Sequence, residues 1–343
     1  LYPYGHPYSW STIGYLEDLD RASLSDLKNF FLRWYGPNNA SITIGGDINP
    51  QEVLAMVEKY FGPIPAGPKV ENMKLATAQI KSDRYISHID NNIRFPAIMM
   101  TYPTVPRMHP DEAALDCLAD ILGIGQSSFL FKKFVETEKA IQASASHPAA
   151  EHAGEFSLIV LPYPGQTLAE FEVEIRNTLD EFEAVGVNEI DLIKFKAGRE
   201  SDVINGLASV SGKVSQLANY QFMFGKPNLI HQDLQRYLDV TAEDVMRVFN
   251  KYIKEKSGVI MSYLPSEEVL PAKADNFFNG LDTINSFEEI DYGNLTYQKA
   301  KDLFDRSIQP TAGPRPILKV PEYWEASFEN GLKIIGTANN EIP

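Results

Sequence analysis

The chain has 343 residues, 44% apolar and 22% charged, and its 46 acidic against 31 basic side chains leave a net charge of −15. That length holds about two ordinary domains, and the composition is that of a folded globular chain rather than a disordered one. So acidic a surface argues against a nucleic-acid backbone as partner, which needs a basic face. It would steer basic peptides, although acidity serves solubility first.

Cys117 is the single cysteine, so there is no disulfide framework and no thiolate metal cluster. No run approaches the roughly 18 apolar residues of a membrane span, and the start, LYPYGHPYSW, lacks an initiator Met and a basic region before an apolar core. Both ends read as cut from a longer chain, so the compartment stays open.

In chain order, ASLSDLKNFFLRWYGPNN predicts a helix with Ser23 as N-cap and Asp26 at N3. It carries Leu27, Phe30, Phe31 and Trp34 at helical spacing and is stopped by Gly36-Pro37. ASITIGGD predicts a strand ending at Gly45-Gly46, and NPQEVLAMVEKYFG a helix with Asn49 as cap, Pro50 at N1 and Glu52 at N3. Residues 239–264 repeat the first half of this arrangement: Thr241 falls on Ser23, Asp244 on Asp26, Phe249 on Phe31 and Tyr252 on Trp34, and a strand again follows.

Between the copies, IRFPAIMMTYPTV reads as a strand and HPDEAALDCLADILG as a helix ending at Gly123. AIQASASHPAAEHAGEFSLIVLP reads as two strands joined by a polar loop. TLAEFEVEIRNTLDEFEAVG sets Phe171, Ile175, Leu179 and Phe182 on one helical face. A long helical stretch follows from about Glu189 towards Met223, with Gly198, Gly206 and Gly212 as weak points. The fold class is α+β, with antiparallel or mixed sheets and helices packed on one side. Residues 265–316 break into proline-rich pieces with one short helix near 296–306. A strand, Leu332 to Ile335, follows the Asn330-Gly331 turn and awaits a partner after the Asn339-Asn340 turn.

Candidate chemistry is sparse. HPAAEH places His147, Glu151 and His152 near a zinc-peptidase pattern, but ligands at i and i+4 of one helix are required. Here the spacing is one residue too long, Pro148 intervenes, and the setting is a loop, read as a solvated turn. GIGQSS follows a helix rather than a strand and puts Ser128 where a dinucleotide fingerprint needs glycine. The sequons at Asn39 and Asn294 carry no weight. Cys117 sits on the apolar side of its helix as a buried, inert thiol, His6 reads as a packed surface histidine, and Asp47 as a turn residue. No residue here is assigned as catalytic or as a metal ligand.

The segments His6-Pro7-Tyr8, Tyr35-Gly36-Pro37-Asn38-Asn39, Gly45-Gly46-Asp47 and Tyr60-Phe61-Gly62 resemble the later part of the catalytic-type domain of the insulinase/pitrilysin zinc peptidases, relatives of the mitochondrial processing peptidase. The resemblance implies repeated insulinase-like domains in a tandem two-half protein that closes around unfolded peptides. Residues 1–68 would be the C-terminal part of the first domain, 69–92 a linker and 93–264 the second, non-catalytic domain. Residues 265–316 would be the linker between halves, and 317–343 the start of a third domain. The zinc ligands H-x-x-E-H and a downstream Glu would precede Leu1, so zinc belongs to the intact parent and none is expected here. Val135 and Gln142 stand where the family's facing domain carries an Arg and a Tyr that stabilise the intermediate, so that role does not transfer.

What could transfer is an exosite pairing with the peptide main chain, for which Met99, Thr101, Gly123 and Gly125 are the candidate substrate-binding residues. The function expected is a scaffold and peptide-binding part of a zinc metalloendopeptidase, inactive by itself. The alternative is a non-catalytic peptide-binding or assembly subunit of the same family. Partners would be unfolded peptides and the other half of the polypeptide or a homologous subunit, in a bacterial, periplasmic or extracytoplasmic setting.

Overall fold

The computed structural model describes residues 1–3, 6–70, 75, 78–277, 295–305, 307–309, 311–315, 317 and 321–338. Tyr4 and Gly5 just before the first motif, Asn294 of the second sequon, the Asn339-Asn340 turn and parts of both expected linkers lie outside the described residues. The chain divides into two compact units. The first is Leu1–Leu27, Glu71–Ser201 and Asn228–Tyr292; the second is Lys28–Val70, Asp202–Pro227 and Gly293–Pro343.

The first unit is built on a five-stranded mixed sheet. Its strands are β1 (Arg84–Ile89), β2 (Ala97–Thr104), β3 (Ala140–Ser146), β4 (Gly154–Pro162) and β5 (Val259–Leu264), ordered β1-β5-β2-β4-β3. β1 runs parallel to β5 and every other pairing is antiparallel. β1 arises within the stretch read as linker 69–92, because its partner β5 returns from far along the chain and no local signal announces the pair.

Helices α1 (Leu16–Arg21), α2 (Leu24–Trp34) and α3 (Pro50–Phe61) precede the sheet. α4 (Glu112–Gly123) follows β2, and α5 (Leu168–Val185), α6 (Glu189–Gly206), α7 (Val210–Phe224), α8 (Ile230–Leu238) and α9 (Ala242–Tyr252) follow β4. α4, α5 and α9 lie against the sheet. Alternate residues Ile98, Met100 and Tyr102 of β2 and Phe156, Leu158 and Val160 of β4 join Leu118, Phe171, Ile175 and Phe249 of these helices in one buried cluster. Each such side chain contributes about 2 kcal/mol by leaving water.

Local signals set the helix ends. Ser23 and Asp26 exchange hydrogen bonds at the start of α2, as Thr241 and Asp244 do at the start of α9, so the repeat seen in sequence holds at its caps. The Asn49 side chain accepts from the Gln51 and Glu52 N–H groups of α3. The long stretch from Glu189 breaks at Gly206 and restarts at Val210 under Ser209, which accepts from the Gly212 N–H at 3.0 Å. A Cβ on Gly212 would stand 1.8 Å from the Gly206 carbonyl oxygen, so only glycine lets α7 start so close behind α6.

Three expectations fail. ASITIGGD forms no ladder: Ile42 and Ile44 are exposed, and no strand among the described residues lies beside them. No helix forms over 296–305, where the Asp302 and Asp305 carboxylates accept the Phe304 and Ser307 N–H groups, local bonds that compete with helix. The C-terminal strand does have a partner, but ahead of its turn: β6 (Tyr323–Ser327) pairs antiparallel with β7 (Lys333–Thr337) across Asn330-Gly331. Asn-Gly is a turn between two strands, and the preceding YWEAS is the first of them.

Candidate functional site

A sheet can take an added peptide strand only along a free edge, where backbone N–H and C=O groups lack partners. β2 has none. Met99 pairs with Ile159 of β4 and Met261 of β5, and Thr101 pairs with Ser157 and Val259, its hydroxyl 2.9 Å from that of Ser157. Met99 and Thr101 therefore do not present a main-chain docking edge, contrary to the expectation from sequence. The insertion of β5 between β1 and β2 is a long-range pairing that the local pattern does not carry.

The two outer strands differ. β1 is engaged at Tyr85 by the segment that follows β5: the Asn276 N–H donates to the Tyr85 carbonyl at 3.1 Å, and the Asn276 side-chain oxygen accepts the Tyr85 N–H at 2.8 Å. Arg84 covers the Phe277 ring at 4.2 Å, and the Ala272 N–H reaches the Ser262 hydroxyl at 3.0 Å. The Asn276 amide thus imitates a neighbouring strand. β3 has β4 as its one strand neighbour, and among the described residues no strand pairs with its other edge.

Of the four residues named from sequence, Gly123 is brought to β3. A Cβ there would lie 1.8 Å from the Ala145 nitrogen, so the end of α4 rests on the strand backbone. Gly125 turns the chain away at φ +79°, its carbonyl accepting the Ser128 N–H at 3.2 Å. The sequence reading names no residue of the outer strand β3 itself. Its AIQASAS pattern of small buried residues alternating with Gln142, Ser144 and Ser146 is the signal that marks them.

The turn after β3 is held by a buried polar network. The His147 ring, fully buried, places Nδ1 2.6 Å from Asp116 of α4 and Nε2 3.0 Å from the Thr104 hydroxyl. Asp116 also receives Arg199 at 2.7 Å and the Tyr237 hydroxyl at 2.9 Å. Burial, then the Asp116 charge, raises the Tyr237 phenol far above its ordinary pKa. His147 is therefore an anchored side chain rather than part of a solvated turn. His6 is buried as well, 3% exposed, where a surface position is expected. Cys117 is buried in the core and its thiol is pushed up to about 12 by burial, an unreactive environment.

Sequence comparison matches the peptidase M16 inactive-domain model over residues 21–198. The chain belongs to this M16 family. It is 26% identical over 274 residues to the zinc protease PqqE of Helicobacter pylori, an alignment covering 76% of this chain and 59% of that protein. The solved structure of a protease from Helicobacter pylori superposes with a TM-score of 0.66 at 25% identity, covering 75% of this chain and 63% of that one. The periplasmic protease PqqL of Escherichia coli shares the fold, with a TM-score of 0.51 at 16% identity, covering 64% and 25%. The M16 chain spans about three fifths of the length of the curated relatives it matches, 59% and 60% for the first two.

Zinc, which the relatives' names imply, does not fit the donor groups of the described residues. No three His, Cys, Asp or Glu side chains among them form a metal-holding group. Both His147 nitrogens are taken, and Asp116 is neutralised by Arg199. No helix among the described residues is long and apolar enough to cross a membrane.

Proposed function

We propose that this chain is the peptide-holding, non-catalytic part of an M16 zinc endopeptidase, and that the open edge of β3 takes one strand of extended substrate. The observation that carries the reading is the topology: β2 is paired on both sides, the outer edge of β1 is engaged at Tyr85 by Asn276, and β3 has no strand on its outer side among the described residues. Main-chain pairing supplies affinity with little dependence on sequence, which suits unfolded peptides of varied composition. Gly123 lets α4 end against the β3 backbone without a side chain in the way, and Gly125 turns the chain two residues later.

In this reading 93–264, with β1 added, is the second domain. Residues 1–68 belong with the catalytic-type domain and 317–343 open a third. The zinc and its activating Glu lie on the rest of the parent polypeptide, whose other half, or a homologous subunit, closes over the peptide. The periplasmic location of PqqL supports an extracytoplasmic bacterial setting for this chain too.

The test is calorimetric titration with an unstructured peptide and with the same peptide N-methylated at alternate residues. The unmodified peptide binds saturably, and methylation weakens it at least roughly tenfold, since each lost main-chain hydrogen bond costs about 1 kcal/mol. Absence of saturable binding, or equal binding of both peptides, overturns the reading.

A further inference from the structure

The start of the chain is fastened to the turn between β3 and β4 by aromatic rings. The His6 ring stacks on Tyr2 at 4.7 Å and meets Tyr8 edge-on at 5.1 Å, and Tyr8 stacks over His152 at 6.0 Å. The Tyr8 hydroxyl accepts the His152 backbone N–H at 3.1 Å, and the Tyr2 hydroxyl donates to the Gly154 carbonyl at 3.3 Å. His6 Nδ1 accepts the Tyr8 N–H at 3.1 Å and so caps the helical turn Pro7–Ser9.

That last bond fixes the protonation state. An imidazole nitrogen accepts only while it carries no proton; a second proton on His6 would set N–H against N–H and break the cap. The charged groups around it do not offset this. His152, the charged neighbour that acts on His6, is of like sign when protonated. Glu151 lies 3.9 Å from His152, Glu155 faces Tyr2, and Arg84 of β1 adds a further positive charge beside Leu1. His147, on the same turn, is engaged by Asp116 and Thr104.

We propose that Tyr2 and the His6–Ser9 turn form a pH-released strap, docked on the β3–β4 turn at neutral pH and let go when His6 gains a second proton. Burial, then the nearby His152, holds the His6 pKa below its ordinary value, so the docked state binds fewer protons than the free one. Docking is therefore complete above the ordinary histidine value of about 6.5 and weakens below it, roughly tenfold per pH unit until the lowered value is passed.

Hydrogen exchange at pH 7.5 and pH 5.0, corrected for intrinsic rates, tests this on the whole chain. Protection of the Tyr8–Trp10 and His152 amides falls at least roughly tenfold at the lower pH, while the interior of β4 is unchanged. His6→Asn keeps an oxygen to cap the turn, His6→Phe keeps the stacked ring, and neither titrates. Both flatten the pH dependence whatever their absolute protection. Protection unchanged at pH 5.0 in the unmodified chain, or an equal loss in both variants, overturns the strap.

Discussion

Asp111 shows how a single side chain can leave its local role for a tertiary one. It stands at the N-cap of α4, yet makes no cap bond. It receives Arg247 at 2.6 Å, Lys251 at 2.8 Å and the Tyr252 hydroxyl at 2.7 Å, all from α9. Burial by itself would raise its pKa, but these three donors hold it well below the ordinary carboxylate range. A depressed carboxylate stabilises the fold above its unfolded pKa of about 3.9 and loses that contribution only as the pH falls through the lower folded value. Asp111→Asn should cost about 2 kcal/mol at pH 7 in urea unfolding, below the range for a fully buried pair because Arg247 and Lys251 are half exposed. The gap between variant and parent should close only below about pH 4. A variant as stable as the parent at pH 7 would show that the pairing contributes nothing.

The elements show where sequence suffices and where it does not. Ser23–Asp26 and Thr241–Asp244 are legible because a capping box is written within four residues, and both form. The strands after the two helices share a pattern but not an outcome. β5 forms between β1 and β2, while Ile42 and Ile44 stay exposed without a ladder, because a strand exists only with a partner. The bonding of Asn276 to Tyr85 of β1 is equally illegible, since the two are far apart in sequence. Asn276→Ala removes the acceptor for the Tyr85 N–H. Exchange of that amide should quicken roughly tenfold, with added self-association through the exposed edge. A Tyr85 amide that stays protected would mean that another group closes β1.

At the scale of the whole molecule, the family and the α+β class could be read from a few motifs such as Tyr35-Gly36-Pro37-Asn38-Asn39, since match and fold agree with them. The candidate site could be read only in part. Gly123 stands out in the sequence as a glycine closing an apolar helix, and the structure sets it on the β3 backbone. That Met99 and Thr101 have no free main-chain edge is not legible locally, because strand order is a property of the assembled sheet, not of the strand. The central claim is that peptide is gripped at the outer edge of β3. Hydrogen exchange followed strand by strand, with and without a saturating unstructured peptide, tests it most directly. Added protection confined to Ala140–Ser146 is the predicted result; no change there, or protection appearing on β1 instead, would contradict it.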